Sequence, residues 1–163
     1  MKKSIVLTGM MGSGKSTIGK LLAKKLKLKF IDTDKIIEKK EKMTIKEIFE
    51  NKGEDYFRKI EKKISLDELK KNNTVIALGG GAFMNTKIRE KILISSDCIS
   101  FWLDAKPSLL EWRVKNVKKR PLLSQGNLDQ DLKKIYNKRK KIYNEANFRI
   151  PIYVQPKKKI VSY

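Results

Sequence analysis

The sequence contains no histidine and only one cysteine among its 163 residues. Without a histidine to act as a base, catalysis by a thiol nucleophile is not expected. Cys98 cannot form a disulfide within the chain, which favours a reducing, cytoplasmic setting. No apolar run is long enough for a membrane span, and the run that follows Met1-Lys2-Lys3 is too short for an export signal. We therefore expect a cytoplasmic protein.

Acidic residues are scarce relative to basic ones. Asp and Glu number 18 against 39 Lys and Arg, which gives a formal net charge of +21. Such a charge is typical of proteins that bind nucleic acids or membrane surfaces. Here the excess consists mostly of lysines spread over predicted helical faces, and no helix-turn-helix or aromatic-basic module is visible. We therefore expect neither a specific nucleic-acid partner nor a membrane partner, and we expect a monomer.

Five short apolar runs predict buried strands, and helical patterns separate them. The predicted strands are residues 4–8, 28–31, 74–78, 99–103 and 148–154. This alternation predicts one α/β domain over residues 1–163, with a five-stranded parallel sheet in a three-layer α/β/α arrangement. Ligands of such sheets bind at the carboxyl ends of the strands. Two groups of glycines, 9/12/14 and 79/80/81, each follow a predicted strand and are expected at that edge.

The first glycine group belongs to a phosphate-binding pattern. Residues 9–16 read Gly-Met-Met-Gly-Ser-Gly-Lys-Ser and match GxxxxGK[ST] between a predicted strand and a predicted helix. In such a loop, backbone N–H groups and the helix N-terminus bind phosphate oxygens. Lys15 is expected to bind the β- and γ-phosphates of a nucleotide, and the Ser16 hydroxyl is expected to bind Mg²⁺.

Two carboxylates follow the second predicted strand, which we expect beside the phosphate loop as the neighbour of the strand that enters it. Asp32 and Asp34 are two residues apart, so an extended chain would place both on the same side. Phosphoryl transfer needs an acid near the metal and a group that orients the attacking hydroxyl, and the pair could divide these roles. The alternative is that either aspartate only caps the helix that begins near Lys35.

The second glycine group, at 79, 80 and 81, offers consecutive N–H groups that can bind an anion, although a tight turn explains the same pattern. Arg139 lies on the apolar face of the last predicted helix, four residues from both Ile135 and Tyr143. An inward arginine needs an anionic partner, which is either an internal carboxylate or a ligand. Arg58 lies at the edge of another apolar stripe, where a surface ion pair is a real alternative.

Two segments are too long for simple crossovers. Residues 35–73 predict a short helix, a break near 43–44, a second helix and a turn at Gly53 before a long helix, which could form a flap over a small acceptor. Residues 120–130 contain Pro121 and Gly126 and predict a lid. Arg120 would project from this lid and could stabilise charge on a transferring phosphoryl group.

Six of these segments resemble the shikimate kinase family in order and approximate spacing. They are Gly9 to Thr17, Phe30 to Asp34, Phe57 to Glu61, Gly79 to Gly81, Arg120 to Leu123 and Lys138 to Tyr143. The resemblance implies a P-loop kinase fold with a substrate-binding region at about 33–61 and a lid at about 120–130. It also implies ATP-dependent phosphorylation of the shikimate 3-hydroxyl, a step of aromatic amino acid biosynthesis.

The resemblance further implies roles for individual residues. Asp34, Lys15 and Arg120 would be catalytic, with Asp34 at the reacting hydroxyl. Substrate binding would involve Asp34, Arg58, Gly79, Gly80, Gly81 and Arg139, and Ser16 with Asp32 would organise Mg²⁺. ATP would contact Gly12, Ser13, Gly14, Lys15, Ser16, Thr17, Arg113 and Arg120, with Arg113 against adenine.

Two other functions remain open from the sequence. The nearest alternative is another small-molecule kinase of the same fold, such as a gluconate kinase. A nucleotide-dependent switch that binds RNA is the alternative from a different class, because the basic composition and the phosphate loop would suit it as well.

Overall fold

The structure, a computed structural model, describes residues 4–114 and 128–153. Within these residues the strands are β1 (Ser4–Thr8), β2 (Lys29–Asp32), β3 (Thr74–Ala77), β4 (Cys98–Ala105) and β5 (Phe148–Ile152). The helices are α1 (Lys15–Leu26), α2 (Thr33–Glu41), α3 (Ile45–Glu68), α4 (Thr86–Ile94), α5 (Pro107–Val114) and α6 (Leu128–Tyr143). A short 3₁₀ helix, Ala82–Met84, precedes α4.

The five strands form one parallel sheet in the order β2-β3-β1-β4-β5. This confirms the predicted α/β fold with a five-stranded parallel sheet. One detail of the prediction is wrong, since β3 lies between β1 and β2 and the second strand is not the neighbour of the strand that enters the phosphate loop. The two strands still end at the same edge, because the carboxyl ends of parallel strands all meet there.

The strand boundaries differ from the prediction mainly where polar residues are buried. The first strand is as predicted, and the second begins and ends one residue later. The fourth strand continues through Asp104, which is only 5% exposed and which an apolar pattern could not include. Tyr136 and Arg149 donate hydrogen bonds to its two carboxylate oxygens, and these bonds compensate its burial. The predicted end of the fifth strand, Val154, lies outside the described residues.

The long segment between β2 and β3 folds as two helices, α2 and α3. A capping box at Thr44 and Glu47 starts α3 after the predicted break. Gly53, at φ 81° and ψ 169°, interrupts α3 as the sequence predicted. Four buried side chains form a separate apolar cluster between the two helices: Ile37, Ile48, Phe57 and Ile64. This cluster fixes α2 against α3, and the two helices carry Asp34 and Arg58.

The main core lies on the sheet and includes fully buried side chains from its three central strands, among them Val6, Ile76 and Trp102. Helix α6 buries Leu132, Tyr136 and Tyr143, which confirms its predicted apolar face. No helix of the described chain is long and apolar enough to cross a bilayer.

The predicted lid falls largely outside the described residues, and so does Arg120. Residues 128–130, which we assigned to the lid, instead form the first turn of α6. The described part of the preceding helix, α5, begins at Pro107. Pro suits this position because the first helical N–H has no partner within the helix.

Candidate active site

The phosphate loop, residues 9–16, connects β1 to α1. Gly9 and Gly14 have φ values of 137° and 100°, which side-chain-bearing residues rarely adopt. A Cβ atom at Gly9 would also lie 2.6 Å from the carbonyl oxygen of Leu103 on β4. The Lys15 ammonium donates to the carbonyl oxygens of Gly9 at 2.7 Å and Met10 at 3.0 Å, so its side chain lies over the loop. The loop therefore has the turn geometry and the placed cation that a phosphate site needs.

Arg113 of α5 also contacts this loop. Its Nη1 donates to the carbonyl oxygens of Gly12 at 3.0 Å and Ser13 at 3.4 Å. Burial lowers the pKa of its guanidinium. The structure thus brings Arg113 to the predicted nucleotide site, while its contact with adenine stays a prediction. Thr17, by contrast, is exposed in the first turn of α1.

Ser16 and Asp32 meet at the mouth of the loop. The Ser16 hydroxyl donates to Asp32 Oδ2 at 2.6 Å, and Asp32 Oδ1 accepts from the Lys35 N–H at 3.2 Å. Asp32 therefore caps α2 with one oxygen and contacts Ser16 of the loop with the other, while its role as the acid near a metal stays a prediction. A hydroxyl and a carboxylate are ligands that Mg²⁺ prefers. The described residues contain no cluster of three or more acidic, cysteine or histidine side chains, so a metal here would need further oxygens from nucleotide and water.

Asp34 reaches the site for a different reason from the one we predicted. The chain is not extended here, because α2 begins at Thr33 and Asp34 lies in its first turn. Both Asp32 and Asp34 nevertheless line one cavity of about 360 Å³ beside the phosphate loop. That cavity also contains Met11, Ser16, Phe49, Phe57, Arg58, Glu61, Gly80, Gly81 and Arg139 in its wall. Its volume is in the range of small-molecule sites.

Arg58 forms the ion pair that the sequence offered as an alternative, and it also lines the cavity. Its guanidinium pairs with Glu61 at 2.7 Å and with Glu54 at 3.1 Å, and its side chain remains 29% exposed. Burial lowers the pKa of Arg58, but the charges and hydrogen bonds of the two glutamates outweigh this effect and raise it overall. A permanently charged arginine held in this way can bind an anion in the cavity.

Glu61 is a site residue that the sequence reasoning missed. Its side chain is only 3% exposed, and burial raises the pKa of its carboxyl, against the opposing charges of Arg58 and Arg139. The signal that could have found it is its spacing on α3, four residues after Phe57 and three before Ile64, which places a carboxylate on the buried stripe.

The glycine triplet leaves room for the side chains of the cavity. A Cβ atom at Gly79 would lie 2.5 Å from Asp34 Oδ1 and 2.7 Å from Glu61 Oε1, and one at Gly81 would overlap the Arg58 guanidinium. Gly79 is buried behind the cavity and donates its N–H to the Thr33 hydroxyl at 3.0 Å. Contrary to the prediction, it does not line the cavity.

Gly80 and Gly81 do line the cavity, and the N–H of neither has an acceptor among the described residues. A turn is present too, since the Ala82 N–H donates to the Gly79 carbonyl at 3.1 Å. The tight turn and the potential anion site are therefore features of one segment. Consecutive N–H groups without acceptors at a cavity wall can bind an anion.

Arg139 of α6 faces the same segment, as the sequence predicted for an inward residue. Its Nη1 donates to the Gly80 carbonyl oxygen at 3.1 Å, and it forms no ion pair with a carboxylate of the described chain. Arg58 and Arg139 thus place two cations on one cavity wall. Their proximity to Asp34 and to the phosphate loop defines a kinase that phosphorylates a small acceptor next to a bound nucleotide.

Comparison with known proteins agrees with this class. The sequence model for the family "Shikimate kinase" matches residues 11–163. A shikimate kinase from Sulfurihydrogenibium sp. (strain YO3AOP1) is 44% identical over 148 residues, which cover 91% of this chain and 87% of that protein. The shikimate kinase of Bacillus subtilis (strain 168) is 42% identical over 153 residues, with 91% and 80% covered. The chain belongs to the shikimate kinase family.

Solved structures show the same relationship. The shikimate kinase from Acinetobacter baumannii, determined in complex with shikimate, superposes with a TM-score of 0.94 at 32% identity, covering 99% of this chain and 90% of that one. A gluconokinase from Sinorhizobium meliloti 1021 superposes with a TM-score of 0.61 at 20% identity, covering 99% of this chain and 88% of that one. At this identity, the similarity to the gluconokinase shows only that the two proteins share a fold.

Proposed function

We propose that the protein transfers the terminal phosphoryl group of ATP to the 3-hydroxyl of shikimate, giving shikimate 3-phosphate and ADP. The observation that carries this proposal is the cavity in which Asp34, Arg58 and Arg139 meet beside the phosphate loop. A carboxylated acceptor needs cations at one end, and its reacting hydroxyl needs an orienting group near the phosphate. The cavity wall supplies both types of group.

In this proposal, the substrate carboxylate binds Arg58, Arg139 and the backbone of Gly80 and Gly81. Two guanidinium groups and two N–H groups without acceptors in the described chain favour a planar anion at this wall. Asp34, on the adjacent α2, then orients the attacking hydroxyl. Residues 33–61 would act as the substrate-binding part of the domain.

The nucleotide phosphates bind the N–H groups of the loop, and Lys15 turns from the loop carbonyls to the β- and γ-phosphates. Ser16 and Asp32 would hold Mg²⁺, which neutralises charge on the phosphate oxygens when it is bound. The roles of Thr17, Arg113 and Arg120 stay predictions, as do the monomeric state, the cytoplasmic location and the lack of a nucleic-acid partner.

The experiment that tests the acceptor site compares substrate affinities of arginine variants. Arg58→Ala and Arg139→Ala should each raise the KM for shikimate by about 10- to 100-fold while changing the KM for ATP by less than about twofold. Lys141→Ala is the matched control, because it removes an exposed cation from the same helix as Arg139. Equal losses of affinity for both substrates would contradict the placement of the carboxylate.

A further inference from the structure

The carbonyl oxygen of Gly80 is the point at which α6 contacts the glycine segment. It accepts two hydrogen bonds from this helix, one from Arg139 Nη1 at 3.1 Å and one from the hydroxyl of Tyr143. The two donors are four residues apart and therefore lie on the same face of α6. A single backbone oxygen of the cavity wall is thus held by two side chains.

Tyr143 is fixed more rigidly than Arg139. Its side chain is fully buried, whereas that of Arg139 is only partly buried. Its ring stacks on Trp102 of β4 with centroids 5.8 Å apart and planes 22° apart. Burial raises the pKa of the Tyr143 hydroxyl to about 12, so it keeps its proton and stays a donor at neutral pH. The tyrosine therefore connects the sheet to the Gly80 carbonyl through a constrained side chain.

The Gly80 carbonyl and the Gly81 N–H belong to the same peptide unit. In a trans peptide the C=O and N–H bonds are rigidly coplanar and point in opposite directions, and the described chain has no cis peptide bond. A carbonyl held toward α6 therefore turns the next N–H away from this helix. Glycines on both sides of the unit would otherwise let it rotate with little steric hindrance. The two hydrogen bonds that α6 donates to the Gly80 carbonyl restrict this rotation.

We propose that Tyr143 is a positioning residue that, together with Arg139, fixes the Gly80–Gly81 peptide so that its N–H can bind the substrate carboxylate. This inference rests on the proposed function, since it assigns the carboxylate to this wall. Arg139 would have two tasks, binding the anion directly and holding the carbonyl. Tyr143 does not line the cavity and acts through the Gly80 carbonyl and through Arg139, with which its hydroxyl also interacts.

Tyr143→Phe tests the inference because it keeps the ring and removes only the hydroxyl. We expect the KM for shikimate to rise about three- to tenfold, with kcat and the KM for ATP changed by less than about twofold. Tyr136→Phe is the matched control. It removes a hydroxyl of the same helix that donates to Asp104 of β4 at 2.8 Å and not to the glycine segment, and the KM of this variant for shikimate should stay at the wild-type value.

Thermal unfolding of both variants accompanies the kinetics, since each variant lacks one hydrogen bond donated by a buried tyrosine. The inference is overturned if Tyr143→Phe leaves the KM for shikimate unchanged, or if Tyr136→Phe raises it equally. If Tyr143→Phe is much less stable, the assay is repeated well below its unfolding temperature, and the ratio of the two KM values decides. Failure of the wild-type protein to phosphorylate shikimate would instead refute the proposed function, so the two failures are distinguishable.

Discussion

Replacing Glu61 with glutamine removes one charge from the cavity wall and leaves the size of the side chain nearly unchanged. Glu61 is 3% exposed and lies 2.7 Å from the Arg58 guanidinium, which also pairs with Glu54 at 3.1 Å. After Glu61→Gln, Arg58 keeps its ion pair with the more exposed Glu54, and a neutral amide oxygen replaces the buried carboxylate as its second acceptor. We therefore expect Arg58 to sample positions outside the cavity.

The magnitude follows from the strength of the hydrogen bond that the substitution weakens. A hydrogen bond to a charged group contributes about 1.5–3 kcal/mol. Because Arg58 remains 29% exposed and retains Glu54, we take the lower end of that range. An energy of about 1.4 kcal/mol corresponds to about a tenfold change in affinity. The KM for shikimate should thus rise about tenfold, with little change in the KM for ATP.

The pH dependence gives a second readout. Burial raises the pKa of Glu61 above the ordinary value of 4.5, so the wild-type carboxylate takes up a proton at a higher pH than an exposed glutamate. As pH falls through that raised pKa, the wild-type KM for shikimate should approach the value of Glu61→Gln. The ionisation of shikimate affects both proteins equally and cancels in the ratio of the Glu61→Gln KM to the wild-type KM. This ratio should therefore fall toward one as the pH falls.

The expected change in stability for Glu61→Gln is opposite in sign to the loss that usually follows removal of one partner of an ion pair. A raised pKa means that the folded state binds the proton more tightly than the unfolded state, so the charged carboxylate costs stability above that pKa. Glutamine mimics the neutral form, and the unfolding temperature at neutral pH should be unchanged or higher. Glu54→Gln is the control, because the Glu54 side chain is 53% exposed. This substitution should change the KM for shikimate less than about twofold.

An unchanged KM for shikimate in Glu61→Gln would refute the positioning of Arg58 by Glu61. A fall in unfolding temperature together with equal losses of affinity for both substrates would show that Glu61 only maintains the fold. Steady-state ADP release at varied concentrations of each substrate, with thermal unfolding in parallel, measures all of these quantities.

Three further changes test other parts of the site. Gly81→Ala places a methyl group on the Arg58 guanidinium and should raise the KM for shikimate by about 10- to 100-fold; a normal KM in the same two-substrate assay would show that Arg58 can move without loss of affinity. Lys15→Ala should lower kcat by at least about 100-fold with an unchanged circular dichroism spectrum, and retained turnover would exclude its phosphate role. Asp32→Asn should raise the Mg²⁺ concentration needed for half-maximal activity by several-fold, which a magnesium titration measures; an unchanged requirement would exclude Asp32 as a metal ligand.

The sequence predicted the fold well because its signals are local. Each strand is a short apolar run, and the phosphate loop has a fixed spacing of glycines, lysine and serine. Hydrogen bonds between strands depend on distant parts of the chain, so the position of β3 between β1 and β2 was not visible. The strand that carries Asp32 was therefore assigned to the wrong neighbour.

The site was predicted in composition but not in its internal contacts. The inward face of α6 revealed Arg139, because helical periodicity reports burial directly. The same periodicity marked Tyr143 only as a core residue, since it cannot show which backbone oxygen a buried hydroxyl reaches. Glu61 was missed, and Gly79 was expected on the cavity wall although it lies behind it, for a related reason. The role of a buried carboxylate or of a glycine depends on side chains from other helices and strands that lie close to it only in the folded structure.

The most direct test of the proposed function measures ADP release by the wild-type protein with ATP and Mg²⁺ across a small panel of hydroxy acids. The panel contains shikimate, gluconate and an acceptor-free control, and a further reaction contains RNA in place of an acceptor. We predict release that depends on shikimate, is abolished in Lys15→Ala, and stays at the acceptor-free level with gluconate or RNA. Turnover with gluconate but not shikimate, or release stimulated only by RNA, would contradict the proposal.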